Sequence, residues 1–458
     1  MSDLIESRLE WLGAELPSRL SRPGDPRYAA ATAIWAKPVG PMPRAVVHCA
    51  TTEDVQWGIR VARDCDLALS VRSGGHDWAG RALCDGIVLD LTGMKEVIVD
   101  IGSGTAEIAG GALASEVAAV ADSLGGAVAA GACSMVGLAG LTMGGGYGAL
   151  IGRYGLALDN LLGAEVVLAD GRIVMADAEN EPELYWALRG GGGNFGVVTG
   201  MRHRVHDLPS VHAGTLIYPL AKDVLARCVA LAESAPDELT VQIALAFGPD
   251  GAPAVMILPT WCGRPEEGEC LTAPFSQLGT VFVNTMTRMS YGAALALVDP
   301  FIVNGRRTFM ETCWLPALDD AAIDIFIQAM KSAVSPGCCM FTHEFRGAAA
   351  RVAPGATAFG LRRDHVLIEI IAACIGPADA GEEQRHRQWA RSTLRAFDAL
   401  ALPGGYPNLL GADDADRAAK SYGDNAGRLL AAKKQYDPDN VFRSAIPLPA
   451  RCKTLRLR

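Results

Sequence analysis

Val71 to Gly80 reads Val-Arg-Ser-Gly-Gly-His-Asp-Trp-Ala-Gly, and these residue types suit the capture of a bulky anion. Leu67 to Val71, apolar apart from Ser70, predicts a short buried strand running into a tight turn. Gly74 and Gly75 let the backbone reach positive φ and approach a ligand closely. Successive N–H groups along Ser73, Gly74 and Gly75 would form a nest for phosphate, with Arg72 adding charge. His76 follows at once, either as a reactive ring nitrogen or as a surface histidine on a β-turn.

A different chemistry is offered by His365-Val-Leu-Ile-Glu369-Ile-Ile-Ala-Ala-Cys. Strand alternation places residues 365, 367 and 369 on one face. A lone glutamate among such neighbours is paired, hydrated or functional, because burying an unpaired charge is costly. Burial would lift its pKa toward the range of a general base. The alternative for Glu369 is a strand edge facing water. Glu344, preceded by His343, is a second candidate base on the same grounds.

About sixty residues after the first turn comes a second glycine-rich stretch, Gly131 to Gly148. It reads Gly-Ala-Cys-Ser-Met-Val-Gly-Leu-Ala-Gly-Leu-Thr-Met-Gly-Gly-Gly-Tyr-Gly and is followed by Arg153-Tyr-Gly-Leu-Ala-Leu-Asp-Asn160. The pair resembles the flavin-binding signature of the berberine-bridge-enzyme-like oxidases, in the vanillyl-alcohol-oxidase (PCMH-type) fold. The resemblance implies FAD, bonded covalently through His76 to the flavin 8α-methyl. It also implies a second bond from Cys133 to flavin C6, since Cys-Ser-Met-Val-Gly stands where the family has C-P-T-V-G. The alternative for Cys133 is a small buried thiol beside Met135. Val136 falls at the family's oxygen gatekeeper, and a valine there resembles the oxidases, which reduce O2 to H2O2.

Carried over position by position, the implied cofactor contacts are Arg72, Ser73, Gly74, Gly75, His76, Cys133, Val136, Gly137, Gly140, Gly144, Gly145, Tyr147, Gly148, Asp159 and Asn160. Gly193, Asn194, Gly196, Val198, Tyr406, Asn408 and Asn440 complete them. Arg189 to Thr199 contains G-x-G-x-x-G at Gly191, Gly193 and Gly196. A dinucleotide fingerprint follows a strand and opens a helix. Here the motif follows a predicted helix and opens the strand Val197-Val198-Thr199, so it is read, as in the family, as a loop touching the flavin. Residues 421–442 closely match the family's C-terminal signature, and 341–363 resemble its G-G-A … T-A-F-P-H-R segment with Gly360 and Leu361 replacing Pro-His.

Many relatives carry Tyr-x-Asn-Tyr before the C-terminal signature, the second tyrosine assisting deprotonation of an alcohol. This chain has Tyr406-Pro-Asn408-Leu409, a pattern closer to the family's amine oxidases. Tyr406 joins Glu369 and Glu344 as a candidate catalytic residue; Tyr147 and Tyr406 either line the pocket or pack in a core.

The bulk composition agrees with a soluble enzyme. The chain has 458 residues, half hydrophobic and a fifth charged, which predicts two or three domains. A net charge of −10 argues against nucleic acid, and no Lys/Arg run marks an anionic membrane surface. No apolar run reaches the ~18–20 residues that span a bilayer. Twelve cysteines without a signal peptide read as buried thiols of a cytoplasmic protein. No C-x-x-C pair points to zinc, so no metal is expected.

The elements that must position these residues follow from periodicity. Helices are predicted over 3–20 (Leu4, Ile5, Leu9, Leu12, Leu16), 51–64, 113–124 and 180–188. Strands are predicted over 43–50, 67–71, 86–92, 96–100 and 105–109. Residues 160–174 form a hairpin turning at Asp170-Gly171. Beyond Pro209, strands at 215–220, 240–247, 254–259 and 366–374 alternate with helices at 221–233, 318–334 and 378–397; a last helix ends at Tyr436 before Pro438. The expected fold is α+β. A PCMH-type FAD-binding domain begins with 1–207, a substrate domain with a large antiparallel sheet spans 208–414, and 415–458 return to the first domain. The expected function is a covalent-flavin oxidase of a C–OH or C–N centre in a small or medium secondary metabolite. A dehydrogenase with another acceptor and a catalytically silent flavin carrier are the alternatives. Small-molecule substrate and O2 are the expected partners.

Overall fold

The computed structural model describes residues 2–37, 40, 42–411 and 414–449. The final residues of the expected 415–458 return, from 450 on, lie outside them. Ala45–His48, Ile87–Asp90 and Leu69–Arg72 pair in parallel, with the short Leu20–Ser21 antiparallel at the edge. Helix Thr52–Asp64 crosses between the first two neighbours in sequence. It starts at Thr51 because the Thr51 side chain accepts Asp54 N–H while the Asp54 carboxylate accepts Thr51 N–H. Ser73 to His76 therefore leave the carboxyl end of a parallel strand, the usual crevice for ligands in such sheets.

A second sheet is antiparallel, in the order Val97–Asp100, Thr105–Ala109, Val197–Arg204, Leu161–Val167, Ile173–Asp177. The expected hairpin is its last pair, turning at Gly171 with φ +87°. Helices Ala114–Ser123 and Pro182–Gly191 flank the sheet. Helix Ser2–Glu15 buries Ile5, Leu9 and Leu12, but Leu4 is 52% exposed and belongs to the other face.

The third sheet has nine strands and is antiparallel throughout. Five of its strands run in the order Pro253–Trp261, Leu239–Phe247, Cys338–Phe345, His365–Ala373, Thr308–Leu315, the last at an edge. Helices Lys222–Glu233, Asp320–Lys331 and Ala380–Ala396 cover one face over a core that includes Phe326, Trp389 and Phe397. Periodicity had not singled out Thr308–Leu315 or Cys338–Phe345, whose Met-Glu-Thr and Thr-His-Glu runs break the apolar pattern.

The chain then comes back to the first unit. Helix Ala426–Tyr436 packs on Pro182–Gly191, with Arg428 paired to Glu183 and Tyr436 donating to Glu181. Lys433 ties Asn194 O, Phe442 O and the Asp437 carboxylate together.

Candidate active site

A cavity of about 520 Å³ lies between the two units, within the range of cofactor and ligand pockets. Ser73, Gly74, Gly75 and His76 form part of one wall, beside Cys133, Val136, Gly137 and Gly140. Gly193, Gly196 and Val198 extend that wall. The nine-stranded sheet faces it with Gln242, Phe341, His343, Leu367, Glu369 and Ile371. Tyr147, Tyr406 and Asn408 line it too, and Phe442 and Ile446 close it from the returning segment.

The two glycine-rich stretches touch backbone to backbone. A Cβ on Gly137 would lie 2.3 Å from Gly74 N, and one on Gly74 would lie 2.4 Å from Gly137 N. Ser73 Oγ donates to Gly110 O at 2.8 Å, pinning the turn to the second sheet. The His76 ring lies flat on Trp35, and Trp35 N–H donates to Gly75 O at 2.9 Å. Burial lowers the His76 pKa to about 4 against the opposing pull of Glu369, Asp77 and Asp299, so the ring is neutral at physiological pH.

Cys133 is buried, and burial pushes its thiol up to about 12, with Asp299 adding to the rise. Asp299 comes from the short helical segment Ala296–Phe301; its carboxylate accepts Ser134 Oγ at 2.5 Å and lies 3.9 Å from Cys133 Sγ. This setting holds the sulfur as a thiol.

Glu369 lies on the face of His365–Ala373 that meets the cavity, with Leu367 and Ile371. Phe341 is directly opposite it on Cys338–Phe345. His343 Nε2 lies 3.1 Å from Glu369 Oε1, without the alignment of a hydrogen bond, and Gln242 Nε2 lies 2.9 Å from His343 Nδ1. Glu344 points the other way, as the residue after His343 must on a strand. Its carboxylate accepts Val241 N–H at 3.1 Å and pairs with Arg346 at 3.4 Å. Glu344 thus mends the ladder between two strands and does not reach the cavity.

Tyr406 Oη accepts Gly146 N–H at 2.8 Å and Asn408 Nδ2 at 3.0 Å, and burial raises its pKa to about 12. Tyr147 and Tyr406 stack edge-on at 5.0 Å. Because His365 Nδ1 is 2.7 Å from Arg363 O, it donates there, and Tyr147 Oη donates to Nε2 at 2.7 Å.

Several expected cofactor contacts also serve the frame. Arg72 turns away from the cavity to Asp90, its register partner, and to Ala33 O. Gly144 and Gly145 are small so that Asn408 and Tyr406 can lie against them; a Cβ there would come within 2.0 Å and 2.7 Å of those side chains. Gly148 abuts Ala130 O. Asp159 binds Arg362 with both oxygens, at 2.9 and 2.8 Å, and caps Leu156 N–H. Asn160 bonds Tyr154 O, Leu156 O and His206. Asn194 ties Gly191 O to Ile446 O, and Asn440 takes φ +55° in the turn after the last helix.

The cavity also holds what the residue reading passed over. Arg81 lines it with a buried Nη2 that has no protein partner, while its Nη1 donates to Asn408 O. A Cβ on Gly140 would meet nothing within 4 Å, and one on Gly193 only Met143 Cε at 3.8 Å. A spare guanidinium donor, two open glycine faces and apolar walls fit a flavin with its diphosphate tail. Elsewhere Cys374, Glu382 and His386 converge within 4.8 Å, but both His386 ring nitrogens are taken up, by Glu382 O and Ser335 Oγ. Among the described residues no helix is long and apolar enough to cross a membrane.

An FAD binding domain model matches residues 43–177, and a model described as berberine and berberine like matches residues 405–449. The chain is 30% identical to the FAD-linked oxidoreductase aurO of Gibberella zeae over 91% of its length and 83% of that protein. It is also 30% identical to the (R)-6-hydroxynicotine oxidase of Paenarthrobacter nicotinovorans, over 92% and 94%. The crystal structure of 6-hydroxy-D-nicotine oxidase from Arthrobacter nicotinovorans superposes with a TM-score of 0.82 at 28% identity, covering 94% of this chain and 97% of that one. The two units and the cavity between them are thus those of a PCMH-type flavoprotein. The chain belongs to the berberine-bridge-enzyme-like FAD-linked oxidoreductases, and is an FAD-dependent enzyme.

Proposed function

We propose that this enzyme is an oxidase with FAD bonded covalently through His76, and also through Cys133. It would take a hydride from a C–OH or C–N centre of a small or medium secondary metabolite. Bound FAD supplies the acceptor for two electrons and passes them to O2, giving H2O2. His76, Cys133 and the Ser73–Gly75 turn would hold the ring system, with Gly140, Gly193, Gly196 and Val198 along it and Arg81 meeting a carbonyl or phosphate oxygen. The substrate would lie between that wall and the nine-stranded sheet, against Phe341, Leu367 and Ile371. Glu369 would accept the proton of the substrate hydroxyl or amine. Tyr406, already accepting two N–H groups, keeps its own hydrogen free to orient the substrate's heteroatom. Val136, lining the cavity beside Cys133, keeps the approach to the ring open for O2.

The observation that carries this reading is a single cavity with a neutral histidine on one wall and a carboxylate on the other. The test needs no substrate. Dithionite-reduced protein is mixed with aerated buffer and its absorbance followed. Fast reoxidation with one H2O2 per flavin is expected; a reduced flavin that persists in air overturns the oxidase reading.

A further inference from the structure

Gln242, His343 and Glu369 stand on three neighbouring strands, all facing the cavity. His343 lies between the other two, its Nδ1 toward Gln242 and its Nε2 toward Glu369. The proton positions follow from what each group can do. An ionised carboxylate only accepts, so the Nε2 facing it carries hydrogen. A neutral imidazole has one N–H, which leaves Nδ1 as an acceptor and requires Gln242 to present its NH2.

We propose that Gln242 and His343 are positioning residues for Glu369. Gln242 fixes His343 as the neutral Nε2–H tautomer, and that N–H, 3.1 Å from one Glu369 oxygen but not yet aligned with it, turns onto that oxygen when substrate binds and leaves the other to face the substrate. The inference rests on Glu369 being the base. Were Gln242 an acceptor, His343 would be driven to the imidazolium form, and a fixed cation beside Glu369 would weaken it as a base. A neutral donor orients the carboxylate with less loss of basicity. In the reaction the substrate's O–H or N–H proton goes to the free Glu369 oxygen while hydride leaves the adjacent carbon for FAD. The proton then passes to water.

The other titratable groups that feel the Glu369 charge are His76 and Cys133 on the opposite wall, Cys339 on the strand of His343, and Tyr406. Burial keeps each of them uncharged. Arg81 and Arg306 are the guanidinium groups along the cavity. Hydrogen bonding, not a fixed charge, is what orders the proton at His343.

The test is 15N NMR of the holoenzyme labelled at its histidine rings, with the His343 signals assigned by their loss in His343→Gln. The wild type should show a ring with its hydrogen on Nε2 and none on Nδ1. Gln242→Leu should shift the His343 signals toward averaging of the two tautomers. Gln242→Glu should give a charged ring at neutral pH. A wild-type Nδ1–H tautomer, or His343 signals indifferent to both Gln242 variants, overturns the proposal. Should one variant fail to bind FAD, the other decides. The ring signals are read without substrate, so this outcome is separate from whether Glu369→Gln slows flavin reduction.

Discussion

The imidazole of His76 and the indole of Trp35 are stacked, with ring centroids 4.7 Å apart and planes 7° from parallel. Trp35 is also bonded through its backbone to Gly75 and, by its carbonyl, to Gly305 of the opposite unit. The stack fixes the plane of the one ring proposed to carry the flavin. In Trp35→Leu, flavin should still bind but a smaller share should survive acid precipitation. An unchanged share would show that the turn alone orients His76.

The Cys133 thiol, pushed up to about 12 and faced by Asp299, is a poor source of thiolate. Attachment there requires that proton to be removed, and the Asp299 carboxylate, 3.9 Å from the sulfur, is placed to accept it. Under double attachment, His76→Ala and Cys133→Ala should each keep flavin on acid precipitation, and only the double variant should release it all. His76→Ala freeing all the flavin would make Cys133 a core thiol. Asp299→Asn should reduce the flavin retained by His76→Ala if Asp299 takes the proton.

Glu369→Gln keeps size and hydrogen bonding but removes the proton acceptor. General-base help is worth ~10²–10⁴ in rate, so anaerobic flavin reduction should slow by about that factor with flavin content unchanged. The assay is stopped-flow absorbance, with any alcohol or amine that reduces the wild type. Equal rates in the two proteins would remove Glu369 from the chemistry.

Burial raises the Glu344 pKa to about 7 from the ordinary 4.5 of a free glutamate, with Arg346 opposing. The folded state then binds a proton more tightly than the unfolded chain between those values. Stability present below pH 4.5 is therefore lost as pH rises toward 7, at up to about 1.4 kcal/mol per unit. Glu344→Gln should flatten this part of the Tm-against-pH curve while leaving flavin reduction unchanged. A curve that keeps its slope would show that Glu344 stays ionised throughout.

The local signals in the chain were enough for the turn at Ser73 to His76 and for the strand that carries Glu369, because each depends on neighbours in sequence. They named Glu344 and passed over its neighbour His343, which is the one that meets the cavity. On a strand the two must face opposite ways, and only the pairing with Leu239–Phe247 decides which meets the cavity. The same limit hid Gln242, Trp35 and Arg81, whose roles come from partners far along the chain. Arg72, Asp159 and Asn160 show the converse. Their motif is local, but Asp90, Arg362 and His206 claim their side chains from 18 to 203 residues away.

The cavity wall begins near residue 73 and is finished by Phe442 and Ile446. A nascent chain emerging from the ribosome therefore has its cofactor turn long before it has the far side of the pocket. The pocket can close around flavin only once the chain has been made through Phe442 and Ile446. Any product truncated before Phe442 would present the signature turn to solvent without a closed pocket around it.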